Sequence, residues 1–211
     1  HIFSQRVIKE TKQLPRSVSE EEIQGRLDLR NKLIITIDPD DAKDFDDAVS
    51  LEKNSDENWH LGVHVADVSH YVKPDTATDK DARFRGTSVY LPGEVIPMLP
   101  EILSNTICSL REGENRLTKS VFMTIDRKGY LLRAEIKSSV ITVTKRLTYN
   151  QATAILRNET DASLPGEAMD MLRNMAHLAE LLFHNRLERG ALELDLPEIS
   201  LKLDEHGYLK D

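Results

Sequence analysis

The stretch "IDPDDAKDFDDAV", Ile37 to Val49, places six aspartates within the ten residues from Asp38 to Asp47. Carboxylates a few ångströms apart repel one another, and the repulsion grows as water is withdrawn. Solvent, the basic side chains of a partner, or a metal ion must offset it. An apolar run, "LIITI", leads into the cluster and "AVSL" leads out, so the acidic residues occupy a turn between two strand-like segments. Asp38 ends the incoming segment, Asp44 lies in the loop, and Asp46 and Asp47 start the outgoing one. A strand–loop–strand turn can fold such side chains toward one point, as a hard divalent cation needs. The EF-hand pattern fails, because no Gly stands at the sixth position from Asp38 and Val49 stands where the closing Glu belongs. Zinc is disfavoured, since the cluster offers neither His nor Cys. An all-carboxylate site with open positions suits magnesium or manganese bound together with substrate phosphates. The competing reading is a solvated acidic turn, the usual meaning of an acidic run; the buried-looking flanking strands weigh against it.

The elements that must hold this turn are legible in outline. "NKLIITID" is an almost continuous apolar run and predicts a buried strand. "DAVSLEKN" predicts a second strand and "DENWHLGVHVADV" a third, in which Leu61, Val63 and Val65 alternate with His60, Gly62 and His64. Further on, "KSVFMTIDRKGYLLRAEIKSSVITVTKRLTY" predicts strand, a turn at Asp126–Gly129, then one or two long strands. Ser19 followed by Glu22 forms a capping-box pattern, so a short helix is expected from about Glu20. "LTYNQATAILRN" opens another helix. From Gly166 to Arg189, Met169, Leu172, Ala176, Ala179, Phe183 and Leu187 fall at helical spacing, and Gly190 sits where a C-terminal cap belongs. "LELDLPEISLKLDEHGYL" predicts a return to strand. The order is strands first and helices later: one α+β unit with a mixed or antiparallel sheet flanked by helices.

Composition narrows the function classes. The chain has 211 residues, 30% charged and 39% hydrophobic, which is ordinary for a globular protein. The formal net charge of −8 argues against nucleic-acid binding driven by bulk charge, though a local basic channel beside an acidic site stays compatible with it. One cysteine, Cys108, precludes an intrachain disulfide and fits a reducing cytoplasm. No apolar run approaches a membrane span, and "HIFSQRVIKETKQ" has no signal-peptide core. Neither a starting Met nor a terminal boundary is evident, so a piece of a longer protein is expected. No obligate protein partner is evident.

Four segments together, "IDPDDAKDFDDAV", "HLGVHVADVSHYV", "RFRGTSVYLPGEVIPMLPEILSNTICSL" and "RLTY", resemble the N-terminal half of the catalytic (RNB) domain of the ribonuclease II/ribonuclease R family, with wording closer to the ribonuclease R branch. The resemblance runs from about Gly25 to Asp211 and leaves 1–24 as a connector out of an upstream cold-shock-like RNA-binding domain. It implies processive 3′→5′ hydrolysis of single-stranded RNA to nucleoside 5′-monophosphates, with magnesium as cofactor and manganese able to substitute. It also implies roles for particular side chains. Asp38 and Asp47 match direct metal ligands, and Asp44 matches a support acting by ligation or through bound water. Asp46 matches the aspartate most needed for cleavage, as a metal residue that orients a second ion or the attacking water. Tyr90 matches an aromatic that stacks on the 3′-terminal base, which would suit an enzyme indifferent to sequence. Read without the resemblance, Tyr90 is a strand residue packed in the core. The same resemblance implies that an arginine gripping the reacting phosphate, and the helices that close an RNA channel, lie beyond this chain. The remaining alternative is a metal-binding or RNA-binding module without catalytic activity. Asp40 is expected to be solvated and Asp41 to assist at most. His64 and His70 are expected to be structural, Cys108 to be a buried small hydrophobe, and Arg83, Arg85 and Lys119 to lie at the surface.

Overall fold

The computed structural model describes residues 2–91, 94–157, 159 and 166–194. Two helices, α1 (Gln5–Lys12) and α2 (Glu20–Ile23), precede the strands β1 (Leu27–Asp28), β2 (Ile35–Asp38), β3 (Asp47–Lys53) and β4 (Trp59–Ala66). Helices α3 (Val68–Tyr71) and α4 (Ala77–Arg85) lead to a small hairpin of β5 (Val89–Leu91) and β6 (Glu94–Ile96). A π-helical turn (Leu103–Ile107), β7 (Asn115–Ile125), β8 (Leu131–Thr142), β9 (Lys145–Thr148), α5 (Tyr149–Leu156) and α6 (Gly166–Glu188) follow. Among the described residues seven strands form one sheet in the order β1-β8-β7-β4-β3-β2-β9. The β1–β8 and β2–β9 pairs are parallel and the rest antiparallel. The fold is therefore α+β with a mixed sheet and flanking helices.

The apolar continuity of "LIITI" has a direct cause. Ile35 enters a core shared with Leu51, Trp59, Leu147 and residues of α5 and α6, while its neighbour Ile34 enters a second core with Phe45, Ala48, Leu103 and Leu110. Both faces of the sheet are covered where the chain enters β2, so the run is almost wholly apolar, with Thr36 its one buried polar residue. The capping box at Ser19–Glu22 is present, as is a second at Thr148–Gln151 opening α5. The β7–β8 turn falls at Asp126–Gly129, where Asp126 Oδ1 accepts from the Lys128 and Tyr130 amides.

Three expectations are modified. First, α4 lies among the strands rather than after them. It buries only Thr78 and Ala82, so its sequence carries no apolar stripe to read. Second, α6 packs on β3 and α5 through Ala168, Met171, Leu172 and Leu178, whereas Phe183 and Leu187 are 39% and 36% exposed. Third, the alternation in β4 inverts toward its end: His64 is buried and Val65 exposed. The strand expected after Gly190 begins with irregular chain at 191–194, and its remainder lies outside the described residues.

The inversion at His64 reflects a buried polar network across four strands. His64 Nε2 meets the Ser50 hydroxyl at 3.0 Å and Nδ1 meets the Ser120 hydroxyl at 2.7 Å. Ser120 and Thr118 continue to Ser139. Gly62 makes room for this: a Cβ there would stand 2.5 Å from Ser50 Oγ and 2.9 Å from His64 Nε2. Burial pushes the His64 imidazole down to about 4 from 6.5, so the folded protein holds it neutral where the unfolded chain would already bind a proton. The stabilisation is complete above about pH 6.5 and is lost as pH falls through about 4, amounting to roughly 3 kcal/mol. Chemical denaturation across that window is expected to show a steeper acid loss for the native protein than for a His64→Asn variant. Equal slopes would remove the assignment.

Candidate functional site

The aspartate turn joins β2 to β3 and is pinned along its length by distant groups. At its start, Arg146 on β9 donates from Nη2 to the carbonyls of Pro39 (2.8 Å) and Asp40 (3.2 Å). At its end, the Ser109 hydroxyl donates to the Lys43 carbonyl and accepts from the Phe45 amide, each at 3.1 Å. The Leu110 amide then bonds the Phe45 carbonyl at 2.8 Å. The Phe45 ring is sunk in the second core, with the Arg146 guanidinium 4.8 Å from its centroid. The apolar residue between Asp44 and Asp46 thus anchors the loop and fixes the carboxylates on either side of it.

Each aspartate has a distinct place. Asp38 ends β2, in register with Thr148. Asp47 opens β3 opposite Val65. Asp46 precedes it, its carbonyl accepting from the Ala66 amide at 2.9 Å. Burial raises the Asp38 carboxyl above the ordinary range, and the Asp47 and Asp44 charges raise it further against the pull of the Thr36 hydroxyl and Arg146. Asp46 is raised by burial first and then by Asp44, Asp47 and Asp38. The four carboxylates predicted as site residues are therefore close enough to repel one another. Asp40 is exposed and accepts from the Asn150 amide.

A cavity of about 760 Å³ opens beside the loop. Asp41, Asp44 and Asp46 line it together with Tyr90, Val95 and Met98 of the β5–β6 region, whereas Asp38 and Asp47 are not part of its lining. Asp46 keeps its exposure because it faces this hollow, while the surrounding wall still raises its carboxyl. Tyr90 is 70% exposed, which removes the packed-core reading of this residue. Cys108 also borders the cavity, but it is 4% exposed, and burial, with Asp46 adding to it, pushes the thiol up to about 12. It is a buried small hydrophobe, as expected.

Whether these residues suit a divalent ion can be judged from the donors. Asp38 Oδ2, the Thr36 hydroxyl and Arg146 Nε are buried and make no well-formed hydrogen bond; the Thr36 hydroxyl lies near enough to the Asp38 carboxyl to offset part of its burial but not to satisfy it, and a carboxylate oxygen so placed is costly unless something pairs with it. The donor set is all oxygen, which fits magnesium or manganese. Among the described residues no three acidic, His or Cys side chains converge on a single ion position. That geometry excludes an all-protein cage but not the usual magnesium arrangement of one or two carboxylates completed by water and phosphate oxygens. Sequence reasoning missed Arg146 and Phe45. Arg146 stands inside the "RLTY" segment, and its signal was only its position on a strand that pairs with β2.

The histidines lie away from the aspartates' chemistry. His70 Nε2 meets Glu22 at 2.8 Å and Nδ1 faces Arg26, which pairs with the buried Asp67 at 2.8 Å. Lys119 pairs with Asp67 and Ser138, and Arg83 with Asp79.

Among the described residues a mixed seven-stranded sheet carries an acidic loop at one strand end, beside a cavity that a hairpin tyrosine also lines, and so defines an α+β domain with an acidic cleft. The structure of Mycoplasma genitalium RNase R in complex with ribose-methylated single-stranded RNA superposes with a TM-score of 0.92 at 29% identity, over 99% of this chain and 33% of that one. The chain belongs to the RNB-domain family, whose model matches residues 26–211. Ribonuclease R of Thermotoga maritima is 48% identical over 210 residues, which is 99% of this chain and 30% of that protein. The chain thus spans about a third or less of the length of these relatives. A yeast pseudonuclease shares the fold at a TM-score of 0.69 and 22% identity, over 83% of this chain and 21% of its own, so the fold alone does not define an active nuclease. No helix among the described residues is long and apolar enough to cross a membrane.

Proposed function

We propose that the full-length protein is a magnesium-dependent 3′→5′ exoribonuclease that processively hydrolyses single-stranded RNA to nucleoside 5′-monophosphates in the cytoplasm. The observation that carries this is a loop that crowds mutually repelling aspartates, with a buried, poorly paired oxygen on Asp38 at its start and with Asp44 and Asp46 lining a cavity that the exposed Tyr90 also lines. The ribonuclease R relatives supply the substrate class.

In this reading Asp38 and Asp47 hold the ion, Asp44 supports it, and Asp46 faces the cavity where the scissile phosphate and attacking water would lie. Manganese can replace magnesium. A divalent ion there supplies charge neutralisation for the attacking and leaving oxygens of an in-line displacement. The chain's own contribution is positional. Phe45 and Arg146 fix the loop, and Tyr90 presents a ring face on which any terminal base can stack. Before the ion binds, the acidic rim opposes entry of a polyanion, so RNA binding in the cavity depends on the metal.

The test is incubation of the full-length protein with 5′-labelled single-stranded RNA, with magnesium or with a chelator. The expected result is a ladder descending from the 3′ end to a short labelled product, absent under chelation. A metal-dependent rise in melting temperature with no hydrolysis would instead make the chain a binding module. Tyr90→Ala is expected to lengthen the residual oligonucleotide, because stacking worth about 1–3 kcal/mol per base is lost and short products dissociate before the last cuts. An unchanged end-product would reduce Tyr90 to a surface residue.

A further inference from the structure

The hairpin that carries Tyr90 cannot hold itself in place. Each of its strands has three residues, none of them buried, and an isolated two-stranded ribbon of that size is marginal in water. Its placement must come from its base. There, the Arg85 guanidinium is the hub. Arg85 Nε donates to Asp81 Oδ2 at 2.7 Å, within α4. Arg85 Nη1 donates to the Pro97 carbonyl at 3.3 Å, where the chain leaves β6. The Phe3 ring lies 4.0 Å from the guanidinium carbon. Arg85 itself is the last residue of α4, and Gly86, at a φ of 77°, turns the chain from the helix toward β5. A second bond, from the Met98 amide to the Ser88 hydroxyl at 2.9 Å, closes the two strands below the tyrosine.

The N-terminal segment reinforces this hub. Glu10 of α1 accepts from the amides of Ala77 and Thr78 and from the Thr78 hydroxyl, at 2.8–3.0 Å, and so caps α4 from outside. Residues 2–12 lie before the span matched by the family model, yet they brace the helix that delivers the tyrosine.

We propose that Arg85 is the positioning residue for Tyr90, clamping the entry and exit of the β5–β6 hairpin, and that Phe3 completes the clamp and makes the N-terminal segment part of the 3′-end site. The inference rests on the reading of Tyr90 as the terminal-base platform. A lysine cannot replace Arg85. Its point charge can reach Asp81 or the Pro97 carbonyl, whereas the planar fork serves both at once and offers a face to the Phe3 ring. The surface role expected for Arg85 is replaced by a structural one, since its side chain is 14% exposed.

The test compares the full-length protein with its Arg85→Ala, Arg85→Lys, Phe3→Ala and Tyr90→Ala variants and with the Arg85→Ala/Tyr90→Ala double variant. Substrates are a long single-stranded RNA and oligonucleotides a few residues long, with magnesium. Arg85→Ala is expected to lengthen the final product and raise KM on the short substrates by about tenfold, matching the loss of one stacked base, with kcat on long RNA nearly unchanged. Arg85→Lys should not rescue it, Phe3→Ala should shift it in the same direction by less, and Arg85→Ala should add nothing in the Tyr90→Ala background. Hydrogen exchange over residues 88–98 should quicken in Arg85→Ala and Phe3→Ala, whether or not RNA is cut. Unchanged exchange, an unchanged end-product, or full additivity with Tyr90→Ala would overturn the clamp. A wild-type protein without exonuclease activity would instead remove the functional reading, with exchange still deciding whether the clamp exists. If Arg85→Ala fails to fold, Arg85→Lys and Phe3→Ala carry the same comparison.

Discussion

Asp46→Asn in the full-length protein is expected to lower RNA hydrolysis by at least about 10²–10³-fold, the scale on which one electrostatic group at a reacting centre matters, while RNA binding survives. The substitution keeps shape and removes charge at the one aspartate of the four proposed site residues that both lines the cavity and carries a carboxyl raised by burial and then by its three neighbours. Relieving that repulsion should not unfold the chain. The variant is expected to melt no lower than the wild type when divalent ions are chelated, which separates a catalytic loss from a structural one. A gel-shift measurement beside a 5′-label assay checks both halves. Activity near the wild-type level, or cuts at random internal positions, would sink the assignment of this loop as a 3′-end hydrolytic centre. Loss of RNA binding along with activity would show that Asp46 acts mainly through the fold or through substrate capture.

Phe45→Ala should be the most destabilising change at the site, by about 3–5 kcal/mol, the usual cost of emptying a buried phenylalanine. Phe45 is 9% exposed and packs in the core that includes Ile34, Ala48, Ala66 and Leu110. Its amide and carbonyl are both bonded to the 109–110 segment. At roughly 2–4 °C per kcal/mol for a chain of this size, the loss should be plain in a thermal or urea melt. Phe45→Leu should cost much less, because most of the volume is kept. The functional consequence is separate: with the anchor gone, Asp44 and Asp46 lose their fixed positions, so activity should fall even at temperatures where the variant is folded. A melt within about 0.5 kcal/mol of wild type, the range of ordinary surface substitutions, would mean that the loop is held by Ser109 and Arg146 alone.

Much of this protein could be read from local sequence because the signals are themselves local. Six aspartates between two apolar runs mark a turn that needs a counter-charge, whatever surrounds it. The capping box at Ser19, the Asp126–Gly129 turn and the helical spacing beyond Gly166 depend on neighbours within a few residues, and each appears where expected. Motif wording added the family and named Tyr90. What tertiary structure decided was which side of each element is covered. The period of α6 was legible, but the docked face is set by β3 and α5, so Phe183 and Leu187 lie outside it. In β4 the alternation was correct as a period and wrong as a direction at His64, because hydroxyls from three other strands supply a buried polar seat. The same holds at the site. Ser109 reaches the loop across 64 residues and Arg146 across 107. Arg85 bridges the two ends of a hairpin and a ring from the chain's third residue. A residue's type and spacing specify the chemistry it can offer. Where that chemistry points depends on contacts between segments far apart in the chain, and those exist only once the sheet has closed.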